Sequence, residues 1–410
     1  MTPSAQIALT VAELLLDSGD VASAAPGAAA GSLARGLAGT ALLHARLAAV
    51  DPVFAAAAAR HWELAATYAG RAGNEGPGTY HSPGGLAASL IIGTPYLPDE
   101  EARRTAAARA ARWMSARAAD LAEQHREYLA AGGTGTPWHV YDAITGLAGI
   151  GRVLLAAVRA GHDAEPGLLA ALTTLTAIAR ARYGTRPGWW VPAAAAGSSA
   201  QISPSGAAAT GMAHGIAGPL AVLSLASMAG YSVDGQPEAI REATSWLLRW
   251  RTAGPQDWPP HVTGTELDTG IAAPVPGRRD AWCYGTPGIG RSLALAGQAL
   301  GAAALTRAAS DAVNALDARP SSAWDVDGPA LCHGYAGVLQ STASGQAAES
   351  VTGLFSPRHR FGFQHLAGQS ARDDPGFLTG AAGAALTLAD HGGLPAPSVT
   401  DKWDALLLLS

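Results

Sequence analysis

Two cysteines occur in the 410 residues, and each stands two positions before a glycine, in Cys283-Tyr284-Gly285 and Cys332-His333-Gly334. A lone cysteine most often behaves as a small buried hydrophobe. Two at matched positions, one followed by His333, ask for a chemical reason. Two thiolates and an imidazole form a donor set suited to Zn²⁺, and three protein ligands leave a fourth tetrahedral position open, as in a catalytic rather than a structural site. His214 stands directly before a glycine, as His333 does, in Met212-Ala213-His214-Gly215. Its imidazole titrates near neutral pH and can move protons. Asp142 lies four residues before Gly146, and Arg279 four before Cys283. An Arg there can stabilise developing negative charge. The plainer alternatives are a turn hydrogen bond for His214, a cap or turn acceptor for Asp142 and an ion pair with Asp280 for Arg279. Trp189, Trp190 and Trp282 are candidates for an apolar substrate groove, with ordinary packing as the alternative.

These residues must be positioned by a repeated element. The pattern X-Gly-x-Ala-Gly, followed by an apolar stretch, recurs seven times with its first glycine at 36, 85, 146, 215, 285, 334 and 380. The intervals are 49, 61, 69, 70, 49 and 46 residues. Repeats of this length are single supersecondary units stacked on their neighbours. Helical periodicity follows the motif at Thr40–Val50, Gly151–Arg159 and Ser292–Leu300, and a second helical stretch appears at Glu101–Leu129, Pro237–Trp250 and Leu305–Leu316. Strand signals are weak. Each repeat is therefore expected to be a helical hairpin, and seven hairpins are expected to close into an all-α, α/α toroid filling residues 1–410 as one domain. Pro- and Gly-rich segments at 72–84, 131–138, 185–213, 253–281, 318–331 and 355–379 are the expected loops, gathered with the glycine turns on one face. Consecutive repeats are neighbours in such a ring, which brings Cys283 toward Cys332 and His333.

Composition narrows the function. The chain is 48% hydrophobic and 14% charged, with a formal net charge of −5. It can bury a large core, and no Arg or Lys stripe offers a surface for nucleic acid. The N-terminus lacks a basic, apolar targeting pattern and no apolar run is long enough to span a bilayer, so a cytoplasmic enzyme without a transmembrane segment is expected. Phosphate-binding, dinucleotide-binding, nucleophile-elbow and His-Glu-x-x-His motifs are missing from the sequence.

Taken with the glycine-turn array, Met212-Ala213-His214-Gly215, Trp282-Cys283-Tyr284-Gly285 and Leu331-Cys332-His333-Gly334 resemble the LanC family of lanthipeptide cyclases. The similarity runs from Arg35 to Trp403 and the Leu-rich tail; the second copy departs from it with Ala88 in place of glycine. The resemblance implies an α/α toroid with zinc on Cys283, Cys332 and His333, and functional roles for Asp142, His214, Arg279 and Tyr284. It implies intramolecular addition of cysteine thiols to dehydroalanine or dehydrobutyrine, forming thioether rings. The substrate would be a dehydrated precursor peptide with its leader, supplied by a separate dehydratase and passed to export machinery. A small accessory insertion is known in the family, but the sequence does not mark one. Three alternatives share parts of the pattern: a LanC-like enzyme that adds glutathione, a zinc toroid prenyltransferase, which would need a carboxylate ligand, and a non-enzymatic peptide-binding toroid.

Overall fold

The structure is a computed structural model that describes residues 1–69, 78–193, 203–252, 258–272, 279–368 and 370–410. Parts of the loops expected at 72–84, 185–213, 253–281 and 355–379 lie outside the described residues. All seven motif copies open a helix: Leu37–Leu47, Gly84–Gly93, Leu147–Arg159, Ala217–Met228, Thr286–Ala299, Tyr335–Thr342 and Ala381–His391. Five of them begin on the residue after the motif's first glycine. Close approach is the reason for that glycine. A Cβ on Gly285 would lie 1.8 Å from the Arg279 carbonyl oxygen, and one on Gly288 would lie 2.1 Å from that of Trp282. Gly285 also has φ +101°, which side chains rarely adopt.

A second set of helices alternates with the first: Pro52–Ala69, Glu101–Ala130, Glu165–Arg180, Gln236–Arg249, Ala303–Asp317 and Gly345–Gly353. The helix Pro3–Leu14 packs on Ala381–His391 and completes the seventh pair. Burial separates the sets. Every residue of Leu37–Leu47 is buried, whereas in Ala303–Asp317 only Ala309, Ala312 and Leu316 are. The first set carries Ala, Leu and Gly on all sides and can only sit inside; the second is amphipathic and keeps its charges in water. Among the described residues three short antiparallel strand pairs interrupt the helices: Arg182–Tyr183 with Arg186–Pro187, Ala207–Ala209 with His261–Thr263, and Gln364–Ala367 with Ser370–Asp373.

The chain divides into two compact units. One comprises Met1–Met114, Ala156–Asp163 and Pro320–Leu406. Within it the helix of the seventh repeat packs on that of the first, so repeats distant in sequence are neighbours. The other comprises Ser115–Leu155, Ala164–Arg319 and Leu407–Ser410. There the fourth and fifth motif helices pack together, and the C-terminal residues are held by Trp282 Nε1 donating to the Leu407 carbonyl at 2.8 Å and Arg291 Nε donating to that of Leu409 at 2.7 Å. Among the described residues no helix is long and apolar enough to cross a membrane.

The first unit encloses two histidines away from any other chemistry. His44 Nε2 meets the Leu15 carbonyl at 3.0 Å, His61 Nδ1 meets the Thr40 hydroxyl at 2.7 Å, and the two rings stand 4.9 Å apart. Burial, then the neighbouring imidazole, pulls His44 down to about 3; burial pulls His61 down to about 4. Both remain neutral in the fold, while an unfolded chain takes up protons at its ordinary value of about 6.5. Their contribution to stability is therefore complete above about pH 6.5 and is lost as pH falls toward 4. Each unit of displacement corresponds to about 1.4 kcal/mol. Thermal melts should show Tm falling steeply between pH 6.5 and 4, with a shallower fall in His44→Leu; equal slopes in the two proteins would remove His44 from this account.

Candidate active site

Asp142 is the polar centre of the turn before the third motif helix. Its Oδ1 accepts from the amides of Ile144 at 3.1 Å, Thr145 at 2.7 Å and Gly146 at 2.8 Å, and from the Thr145 hydroxyl at 3.1 Å. Its Oδ2 lies 2.6 Å from His214 Nδ1. The carboxylate is buried, whereas the His214 side chain keeps 31% of its surface exposed. One oxygen builds the turn and the other holds the imidazole. Tyr141, fully buried, donates its hydroxyl to the His214 carbonyl at 3.0 Å and fixes the backbone as well.

Burial pulls the His214 pKa down, but the Asp142 hydrogen bond, the Asp142 charge and the charge of Cys283 outweigh it, and the net shift is upward. Because Asp142 occupies Nδ1, a proton exchanged with a substrate must pass through Nε2. Trp138 stacks on this ring with centroids 5.3 Å apart, and Tyr284 stands 6.5 Å from it.

Cys283 is carried by the loop closed by Gly285. Its carbonyl accepts from the Ala213 amide at 3.2 Å, and Gly211 packs against it so tightly that a Cβ there would lie 2.3 Å from that oxygen. Arg279 is half-buried at the start of the same loop, with its carbonyl beneath Gly285. Asp280, buried, accepts from Arg319 at 2.8 and 3.2 Å. The Cys332 amide donates to the Leu378 carbonyl at 2.9 Å, and the His333 carbonyl accepts from Asp327 at 2.7 Å. The His333 ring meets His365 edge-on at 5.4 Å.

The ligand atoms of Cys283, Cys332 and His333 all lie within 4.8 Å of one another, a cluster able to hold a metal ion. With Zn–S of about 2.3 Å and Zn–N of about 2.0 Å, tetrahedral geometry sets neighbouring donors roughly 3.5–3.8 Å apart. Thiolate and imidazole are donors that soft and borderline divalent metals take.

Of the two readings of the tryptophans, packing is the one that fits. Trp189 and Trp282 are fully buried and Trp190 nearly so. Trp189 packs edge-on against Trp246 at 5.0 Å, so these rings support the core and line no groove. The aromatic ring actually at the site is Trp138, four residues before Asp142, and beside it stands His261, on the strand opposite Ala207–Ala209. Neither carries a glycine-turn signature, and His261 is brought in by strand pairing across 52 residues, which no local pattern announces.

The chain is 25% identical over 198 residues to the nisin biosynthesis protein NisC of Lactococcus lactis subsp. lactis, a match covering 47% of each chain, so it spans about half the length of that relative. The solved structure of a nisin cyclase superposes with a TM-score of 0.75 at 20% identity, covering 97% of this chain and 96% of the other. That likeness establishes the fold as the α/α toroid of the cyclases. Residues 28–393 match the family described as lanthionine synthetase C-like protein, and the chain belongs to that family.

Proposed function

We propose that this protein is a zinc-dependent lanthipeptide cyclase, adding cysteine thiols of a dehydrated precursor peptide to dehydroalanine or dehydrobutyrine. The observation that carries this reading is the Cys283, Cys332 and His333 donor set in a chain of this family. Zinc held there would lower the pKa of a substrate thiol and make it a nucleophile at neutral pH. In the addition, sulfur bonds to the β-carbon, the C=C π pair moves to the α-carbon and its amide carbonyl, and a proton must reach the α-carbon.

His214 is the group to deliver that proton through Nε2. Neutral His214 accepts the proton that the substrate thiol gives up and returns it to the α-carbon, which balances the reaction without a co-reactant. Both oxygens of Asp142 are already engaged, which favours orientation and charge stabilisation of His214 over direct proton acceptance from the thiol. Arg279 is assigned to the developing enolate charge, and Tyr284, beside His214, to holding the reacting segment. Glutathione addition by the same groups is separated from ring closure by the mass of the product. A prenyltransferase is disfavoured because the cluster found among the described residues has no carboxylate. The dehydratase and export machinery remain the partners this reading calls for.

Metal analysis of the purified protein should find one zinc per chain, and Cys283→Ala or Cys332→Ala should lose most of it while the helical circular dichroism persists. Full occupancy in both variants would remove the metal assignment. His214→Ala should keep its zinc yet cyclise roughly a hundredfold more slowly; a wild-type rate would leave His214 a turn residue only. In Asp142→Asn the imidazole loses the partner that raises its pKa. Its neutral, proton-accepting form then persists to a lower pH, so the acid limb of the cyclisation profile should move toward acid. An unmoved limb would show that His214 is not the group titrating there.

A further inference from the structure

We propose that His261 is a further substrate-contacting residue of this site, its neutral imidazole hydrogen-bonding the backbone amide of the bound peptide through Nε2. The inference rests on the cyclase reading above and adds a residue to it.

His261 does not belong to the glycine-turn array. It enters through the Ala207–Ala209 and His261–Thr263 ladder, where it pairs with Ala209, five residues before His214. The Thr210 amide donates to the Pro260 carbonyl at 3.1 Å and its hydroxyl to that of Pro259 at 2.6 Å, tying down the backbone that leads into His261. The imidazole lies nearly parallel to Trp138, with centroids 5.8 Å and planes 20° apart, and stands 5.5 Å from Tyr284. Trp138 thus stacks on both His214 and His261. A rigid backbone and two aromatic neighbours leave the ring little rotational freedom.

Its Nε2 is buried and has no hydrogen-bond partner. A buried polar atom without a partner is costly, so such atoms in native structures call for an explanation by ligand, water or function. Burial and the nearby His214 lower the His261 pKa to about 4, so the ring is neutral at working pH, with one nitrogen able to donate and one to accept. A peptide backbone offers the complementary N–H and C=O. A neutral hydrogen-bonding ring also avoids adding positive charge beside the imidazolium that His214 must form. Its contribution is to place the dehydroamino acid near His214, not to transfer the proton.

The test compares His261→Phe, which keeps the ring packing and removes both nitrogens, with His261→Gln, which restores a hydrogen-bonding group. The probe is a synthetic peptide with one dehydroalanine and one cysteine three residues later; an analogue with alanine for cysteine reports binding alone. His261→Phe should retain its zinc and its melting temperature, raise KM and the Kd of the analogue by roughly three- to tenfold, and change kcat less. His261→Gln should recover part of the lost affinity. Unchanged KM and Kd in His261→Phe would overturn the inference, as would a rise that accompanies loss of zinc or of thermal stability, which would mark a structural role. Failure of the wild-type protein to close the ring would count against the cyclase reading itself, a different result from normal wild-type closure with an indifferent His261.

Discussion

The structure depends on one repeated backbone contact. In the fourth, sixth and seventh repeats the residue two positions before the motif glycine donates its N–H to the carbonyl of the equivalent residue in the next repeat. Ala213 donates to Cys283 at 3.2 Å, Cys332 to Leu378 at 2.9 Å and Leu378 to Ala34 at 3.0 Å. The seventh repeat is thereby joined to the first. Buried amides and carbonyls in loops between helices would otherwise be left without partners, at a cost the chain cannot bear many times over. The relay requires loop backbones to touch, and the glycines without Cβ permit it: Gly211 against the Cys283 carbonyl is one such approach.

Both cysteines occupy this same linking position. Their backbones belong to the relay and their side chains to the donor cluster, so the scaffold and the donors are built from the same residues. Placement by backbone hydrogen bonds and close packing is stiffer than placement by side-chain contacts alone, and a metal cluster needs that stiffness because its donors must already stand near their bonding distances. The same economy appears at Asp142. One of its oxygens collects the amides of the third turn and the other holds His214. A carboxylate fixed by four donors cannot rotate, and the imidazole it holds inherits that orientation.

The repeat, the helical hairpins and the metal donors were legible because each leaves a local signature. Glycines at fixed offsets mark the turns, apolar runs mark the buried helices, and cysteines in matched positions stand out in a chain that has only two. The tryptophans stayed open between groove and core because a large ring next to a loop looks the same in sequence whether it faces solvent, substrate or core. Trp282 is held in the core by its Nε1 on the Leu407 carbonyl, a contact over 125 residues. Trp138 and His261 went unremarked for the converse reason: nothing beside them in sequence distinguishes a site ring from any other.

The sequence by itself determined the all-helical class, the sevenfold repeat and the residue types able to bind a soft metal, since periodicity, glycine spacing and side-chain chemistry are local properties. Only the tertiary structure decided that Asp142 is at once turn acceptor and partner of His214, that Asp280 is held by Arg319, and that a strand pairing sets His261 beside Trp138 and Tyr284. Those outcomes rest on hydrogen bonds between residues 39 to 72 positions apart, and which of several candidate partners a buried polar group takes is settled only when the packing closes around it.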